Sequence, residues 1–167
     1  MTRFEQQVLD VLPRLRRYAL SLARDRADAE DLVQDCVERA FSRRTTWRGD
    51  NLQGWMMTIL TNLNRNRVRS ASAAPATVEI DEAEDHAAVF PDSDPLARDK
   101  LVAALNQLHP DQRAVLMLVV LEGRSYREVG EMLGIPQGTV MSRLSRARRS
   151  LASNLEGRNI VEFRRTP

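Results

Sequence analysis

The chain has 167 residues, 43% of them hydrophobic, which is enough for one medium domain or two small domains with real cores. Its 25 basic and 23 acidic residues leave a net charge of only +2, so only the distribution of charge can point to a polyanionic partner. The single cysteine, Cys36, excludes an internal disulfide, and no apolar stretch reaches the length of a signal peptide core or a membrane span. We therefore expect a cytoplasmic protein without membrane insertion.

Apolar residues recur at helical spacing in three segments of the first half of the chain. The segment from Phe4 to Leu22 predicts one or two amphipathic helices, and Pro13 is expected to start or kink one of them. The segment from Asp28 to Ser42 predicts a second helix with a polar, mostly acidic outer face. A third helix is predicted from about Leu52 to Ser70, and its last turns are basic without any acid.

The composition then changes to alanine, serine, proline and acids between Ala71 and Pro95. Residues 79 to 94 contain many acids and neither lysine nor arginine, which is typical of a solvated linker. We predict a flexible acidic linker over residues 73–95, between a first domain of residues 1–72 and a second domain of residues 96–155, with a tail over 156–167. The alternative is an acidic strip that mimics nucleic acid and screens basic surfaces of the protein.

Helical periodicity returns after Pro95 and predicts four helices, which completes an all-α fold of two small helical domains. The second of these helices follows the breaker His109-Pro110, with Asp111 as its predicted N-cap and Gly123 as its stop. Ser125 and Glu128 predict a capping box at the start of the third.

The segment from Ser125 to Leu151 has the pattern of a helix-turn-helix: a capped helix, a turn at Gly134-Ile135-Pro136, and a second helix with an apolar stripe. The remaining positions of the second helix carry small polar side chains first and arginines later, with no acid before Glu156. Such a face suits the major groove of DNA, where small polar groups approach base edges and arginines reach bases or phosphates. The alternative is a basic surface helix of an ordinary bundle, rich in arginine because of codon usage.

These motifs carry a family resemblance that covers nearly all of the chain outside the linker and the last dozen residues. The sequence SYREVGEMLGIPQGTVMSRLSRARRSL resembles region four of the extracytoplasmic-function (ECF) sigma factors of bacterial RNA polymerase. The sequences RYALSLARDRADAEDLVQDCVERAF and WRGDNLQGWMMTILTNLNRNRVRS resemble their region two. The resemblance implies that region two binds core polymerase and opens the minus-ten promoter element, and that region four reads the minus-thirty-five element as duplex. It also implies control by an anti-sigma factor in a stress or signal response.

The resemblance assigns roles to particular residues. Core polymerase is expected to contact the polar face of the second helix, at Asp31, Gln34, Asp35 and Glu38. Minus-ten DNA is expected to meet Trp47, which is suited to stacking on an unpaired base, Asn62, which is placed to read a flipped-out base, and Arg65, Arg67 and Arg69, which are placed to hold phosphates. Minus-thirty-five DNA is expected to meet Gln137, Thr139, Met141, Ser142, Ser145, Arg146 and Arg149. Without the resemblance, the acidic face is as well explained by solvation, and Trp47 by a place in the core.

Two departures from the family pattern bear on these roles. The stretch between Trp47 and Trp55 is one residue shorter than expected. Met141 stands where several members have an arginine, and its thioether cannot hydrogen-bond a guanine edge.

Two other classes of protein remain as alternatives: a regulatory decoy that binds an anti-sigma protein without touching DNA, and a one-component repressor. We expect neither an enzyme nor a bound cofactor or metal, because His86 and His109 belong to no recognisable constellation of catalytic or ligand residues.

Overall fold

A computed structural model describes residues 1–72 and 94–164, and helices account for most of both ranges. The elements of the first range are α1 (Arg3–Leu22), α2 (Arg26–Ser42), a 3₁₀ turn (Arg44–Thr46) and α3 (Leu52–Ser72). Those of the second range are α4 (Pro95–Asn106), α5 (Pro110–Leu116), a π-helical segment (Met117–Leu121), α6 (Tyr126–Leu133) and α7 (Gln137–Arg164). The predicted all-α fold is confirmed. The prediction of a flexible acidic linker lies mostly outside the described residues.

Side-chain caps set where the helices of the first domain begin. Thr2 and Glu5 form a capping box at the start of α1, which then continues through Pro13 as one helix rather than two. Asp25 accepts a hydrogen bond from the backbone N–H of Asp28 at 2.8 Å, so α2 begins slightly earlier than its apolar stripe predicts.

The three helices of the first domain pack on one another around buried aliphatic, methionine and tyrosine side chains. The Tyr18 hydroxyl and the Thr61 hydroxyl are 2.7 Å apart inside this core, which satisfies both buried groups. Cys36 is fully buried and donates its thiol hydrogen to the carbonyl oxygen of Met56 at 3.3 Å. Burial raises the pKa of this thiol to about 12, so it is an inert core residue.

Two helices of the second domain begin with proline at the first helical position, where a missing backbone N–H costs nothing. Pro95 follows the N-cap Asp94, so α4 begins one residue before the predicted domain boundary at 96. Pro110 likewise makes His109 the N-cap of α5, with its Nδ1 accepting the N–H of Asp111 at 3.2 Å. The predicted N-cap at Asp111 is therefore wrong. Helix α7 continues to Arg164, into the range predicted as a tail.

The two domains are in contact in this structure. Helices α1 and α3 pack against α5, the π-helical segment and α6, and buried apolar residues of both domains form one continuous cluster. Polar contacts cross the same boundary, including an ion pair of 3.2 Å between Arg65 of α3 and Asp111 of α5. No helix among the described residues is long and apolar enough to cross a membrane.

Candidate nucleic-acid interface

A capping box begins α6, and two glycines set the turn between α6 and α7. Ser125 Oγ accepts the N–H of Glu128 at 3.1 Å, and the Glu128 carboxylate accepts the N–H of Ser125 at 2.8 Å. Gly134 ends α6 with φ +65°, a conformation that side chains disfavour. At Gly130 an added Cβ would lie 2.9 Å from the carbonyl oxygen of Ile135, so only glycine lets the turn approach α6 this closely. The predicted helix-turn-helix segment is formed as the sequence pattern indicated.

Helix α7 separates a buried stripe from an exposed polar face. Val140, Leu144 and Ala147 are at most 2% exposed and hold the helix to its domain. Because a helix turns once in about 3.6 residues, the side of α7 opposite this stripe carries five side chains of the predicted minus-thirty-five set. We call them the recognition face: Thr139, Ser142, Ser145, Arg146 and Arg149, of which all but the half-buried Thr139 are exposed.

The other two side chains of that set, Gln137 and Met141, are exposed but lie outside the recognition face. From the helical period, Met141 is displaced by roughly 90° from the centre of the face. Arg143, which was not in the predicted set, is turned back toward the domain, with its Nη1 4.0 Å from Asp111. The structure thus gathers the small polar residues with Arg146 and Arg149, and leaves Met141 at the side.

The polar face of α2 is exposed at all four predicted residues, Asp31, Gln34, Asp35 and Glu38. We call this set the acidic face. Gln34 Nε2 donates to Glu38 Oε1 at 3.1 Å along the helix. Asp35 is also engaged across the domain, because Arg67 Nη2 lies 2.6 Å from its Oδ2. A residue predicted to meet polymerase is therefore paired with one predicted to hold DNA.

The end of α3 divides its predicted DNA residues between two sides. Asn62, Arg65 and Arg69 lie within one side of the helix at spacings of three and four residues, and Asn62 and Arg69 are exposed. Arg67 lies on the side that faces α2 and its partner Asp35. Arg65 is paired with Asp111 of the other domain and is only 21% exposed. Arg65 and Arg67 are thus held by carboxylates of the protein itself.

The environment of Trp47 is compatible with both interpretations of its sequence context. Its ring is half-buried against Phe4, with centroids 5.6 Å apart, and Phe4 also meets the edge of Phe41 at 5.3 Å. Its indole N–H donates to the carbonyl oxygen of Asp50 at 2.8 Å, which fixes the ring in the loop. Trp47 stays partly exposed, and its contact with Phe4 anchors the loop to α1.

Three residues make long-range contacts that the sequence did not predict. Phe4 packs behind Trp47, and Asp111 lies between Arg65 and Arg143. The side chain of Glu122 is fully buried near Arg14 and Arg17. Helical periodicity assigns each residue to a face of its own helix and does not say which helix faces it. The proline at position 110 was the one local signal that would have placed the N-cap at His109.

Comparisons with known proteins find matches to both helical domains of this chain. The family model of sigma-70 region 2 matches residues 8–74, and that of sigma-70 region 4 matches residues 98–151. The ECF RNA polymerase sigma factor EcfG of Rhodopseudomonas palustris (strain TIE-1) is 35% identical over 154 residues, covering 89% of this chain and 82% of the relative. The RNA polymerase sigma factor CarQ of Myxococcus xanthus is 33% identical over 145 residues, covering 86% of this chain and 83% of the relative.

A solved structure extends the agreement to three dimensions. The sigma factor RpoE from Bartonella quintana, solved in complex with the anti-sigma factor NepR, superposes with a TM-score of 0.72 at 34% identity, covering 93% of this chain and 98% of that one. Both sigma-70 regions are thus present in one chain, in the order and with the fold of these relatives. The chain therefore belongs to the ECF sigma factors of RNA polymerase.

Proposed function

We propose that this chain directs core RNA polymerase to a specific set of promoters and takes part in opening them, in a stress or signal response. The observation that carries this proposal is the recognition face of α7, which is free of acids, backed by a buried stripe and exposed except at the half-buried Thr139. Such a helix fits the major groove, with small polar groups at base edges and arginines at bases or phosphates. The chain would act in the cytoplasm, and the chemistry of RNA synthesis would belong to the polymerase.

The proposed division of labour follows the two domains. The first, residues 1–72, binds polymerase through the acidic face of α2, and meets the melted minus-ten strand with Trp47, Asn62 and the arginines of α3. The second, residues 96–155, reads the minus-thirty-five duplex with α7. The exposure of Asn62 and of the acidic face supports this division, since both are accessible without unfolding.

An anti-sigma factor is the proposed regulatory partner. The support is the relative from Bartonella quintana, which was solved with the anti-sigma factor NepR and is similar to this chain over nearly its whole length. The similarity covers both domains, so a partner that contacts both would meet two domains of the same fold here.

Copurification with core polymerase, followed by run-off transcription on genomic fragments, tests the function. A sigma factor copurifies and yields discrete promoter-dependent transcripts. A decoy yields neither transcripts nor DNA binding, and a one-component repressor binds duplex DNA without associating with polymerase. Either of the last two results would overturn the proposal.

The acidic face gives the first prediction. Asp31→Lys combined with Glu38→Lys should weaken polymerase binding about tenfold and spare the fold, because each replaces a favourable surface charge by a repulsive one and exposed substitutions change stability by only about 0.5 kcal/mol. These two residues are better probes than Asp35, which is tied to Arg67. Fluorescence titration of labelled protein with core polymerase measures the affinity.

The matched control for this prediction is Asp10→Lys combined with Glu156→Lys, which makes the same change of charge at exposed positions elsewhere. Equal losses of affinity in the two double variants would show that polymerase senses net charge and not the acidic face.

Trp47 gives the second prediction. Trp47→Ala should impair strand opening at a cognate promoter by about 1 kcal/mol, the low end of the range for stacking of one base, because Phe4 covers part of the ring. Asn62→Ala should act in the same direction, whereas closed-complex formation should be unchanged in both variants. Permanganate reactivity of promoter thymines reports the opening. Wild-type reactivity in both variants would contradict the assignment of these residues to the melted strand.

A further inference from the structure

We propose that Glu122 makes the docking of the two domains, which we call the closed state, conditional on Arg14 and Arg17 of the first domain. The need for release rests on the proposed function, whereas the closed state itself does not. Contacts across the domain boundary, the surroundings of Glu122 and the distance that a promoter imposes on the two domains support this role.

Side chains of the second domain satisfy groups of the first domain across this boundary. Arg113 is only 7% exposed, and its Nε donates to the carbonyl oxygen of Ser21 at 2.7 Å. That carbonyl lies in the last turn of α1, where it has no partner within the helix. Arg113 Nη1 also donates to Asn106 Oδ1 at 2.7 Å, so the guanidinium joins α5 to its own domain and to α1. The contact is directional, which favours one docked geometry.

Glu122 lies at the centre of this boundary, immediately after the π-helical segment. Its side chain is 0% exposed, and the nearest cations of the first domain are Arg14 Nε at 3.7 Å and Arg17 Nη2 at 3.8 Å. Among the described residues, no donor forms a hydrogen bond with either carboxylate oxygen. The arginines are 53% and 40% exposed, so the acid is enclosed while its partners remain in contact with water.

The charge balance at Glu122 is unfavourable even with these partners. Desolvation raises the pKa of its carboxyl despite the opposing effects of Arg17, Arg14 and Arg124. A buried carboxylate that loses its cations is strongly destabilising, whereas replacing the charge by a neutral group of the same shape is often neutral or stabilising. Glu122 therefore does not strengthen docking. It makes docking fail when Arg14 and Arg17 are withdrawn.

The proposed function requires such a withdrawal. The minus-ten and minus-thirty-five elements lie roughly 85 Å apart along duplex DNA at about 3.4 Å per base pair. A compact chain of this length has a radius of gyration of only about 15 Å, hence a diameter of about 40 Å. The docked domains cannot occupy both elements at once. Docking also holds Arg65 on Asp111, away from the phosphates that it is proposed to bind.

Energy transfer between two dyes on the full-length free protein tests the closed state. Cysteines replace two exposed residues, Arg39→Cys on α2 and Ser153→Cys on α7, whereas the buried Cys36 with its raised pKa resists labelling. Efficient transfer is expected at low salt, and it should fall when core polymerase is added. Low transfer in the free protein at every salt concentration would overturn the proposal, because Glu122 would then not be enclosed between the domains.

Three variants of the labelled protein test the role of Glu122. Arg14→Gln combined with Arg17→Gln should raise the open fraction about tenfold, because docking then buries the carboxylate without the two cations of the first domain. Glu122→Gln should leave the open fraction unchanged or lower it. Adding Glu122→Gln to the arginine pair should restore closure. The control, Arg3→Gln combined with Arg16→Gln, removes the same charge from exposed positions of α1 and should have no effect.

Opening by Glu122→Gln to the same extent as by the arginine pair would show an ordinary attractive ion pair and overturn the proposal, as would failure of the triple variant to close. Circular dichroism confirms that each variant keeps its helices. These measurements use the free protein and do not depend on the proposed function. A chain that fails in transcription but shows this pattern would contradict the proposed function and still support the role of Glu122.

Discussion

Arg146→Ala should weaken binding of the reconstituted holoenzyme to its cognate promoter by about 1 to 3 kcal/mol, which is roughly 5- to 150-fold, and should relax the base preference at one position. Arg146 is exposed on the recognition face, beside Ser145 and about one turn beyond Ser142, where we expect its guanidinium to reach a base edge. Arg149 lies almost one turn further along α7, beyond these small side chains. Arg149→Ala should therefore weaken cognate and scrambled duplexes alike and reduce the salt dependence by about one phosphate contact.

Binding titrations on cognate and scrambled duplexes across a salt series separate the two arginines. The two variants are matched in helix, exposure and charge, so they differ only in position on the recognition face. Equal losses of affinity on both duplexes for Arg146→Ala would show that Arg146 only contacts a phosphate. The small polar residues would then be the ones that recognise the sequence.

Leu144→Ala should lower the free energy of unfolding of the second domain by about 2 to 5 kcal/mol, because it leaves a cavity beneath the recognition helix. Leu144 is 2% exposed and lies at the centre of the stripe that joins α7 to the rest of its domain. A loss of this size is a large fraction of the roughly 5 to 15 kcal/mol that stabilises a typical domain. Urea unfolding followed by circular dichroism measures the change, and promoter binding should fall with it.

Met141→Ala is the matched control, since it removes a side chain of similar size from the same helix at a position that is 52% exposed. Its effect on stability should stay within about 0.5 kcal/mol. A destabilisation by Met141→Ala as large as that of Leu144→Ala would mean that α7 packs on its domain through a different face.

Some errors in the sequence prediction have local physical causes. The predicted N-cap at Asp111 rested on the general preference for aspartate, but a proline at the first helical position leaves the cap to the preceding residue, here His109. Pro13 lies inside α1, which is a single helix, whereas the sequence had left one or two helices open. In this case the packing of α1 on α2 and α3 outweighs the missing backbone hydrogen bond.

The sequence by itself determined the helices, the helix-turn-helix and the recognition face. These features depend on neighbours within a few residues: the apolar period, the capping box at Ser125 and the left-handed glycine at Gly134. The sequence also predicted the acidic face and the basic end of α3 as two exposed surfaces, the first for core polymerase and the second for DNA.

Only the tertiary structure decided which of these side chains meet. Arg67 binds Asp35 across 32 residues of sequence, and Arg113 reaches Ser21 across 92. The burial of Glu122 likewise depends on α1, which belongs to the other domain. No local pattern encodes these distances, because a helical period fixes the direction of a side chain relative to its own axis and leaves the opposing helix open. The docking of the two domains depends on the fit of whole surfaces, and a single buried carboxylate at that boundary changes the free energy of docking.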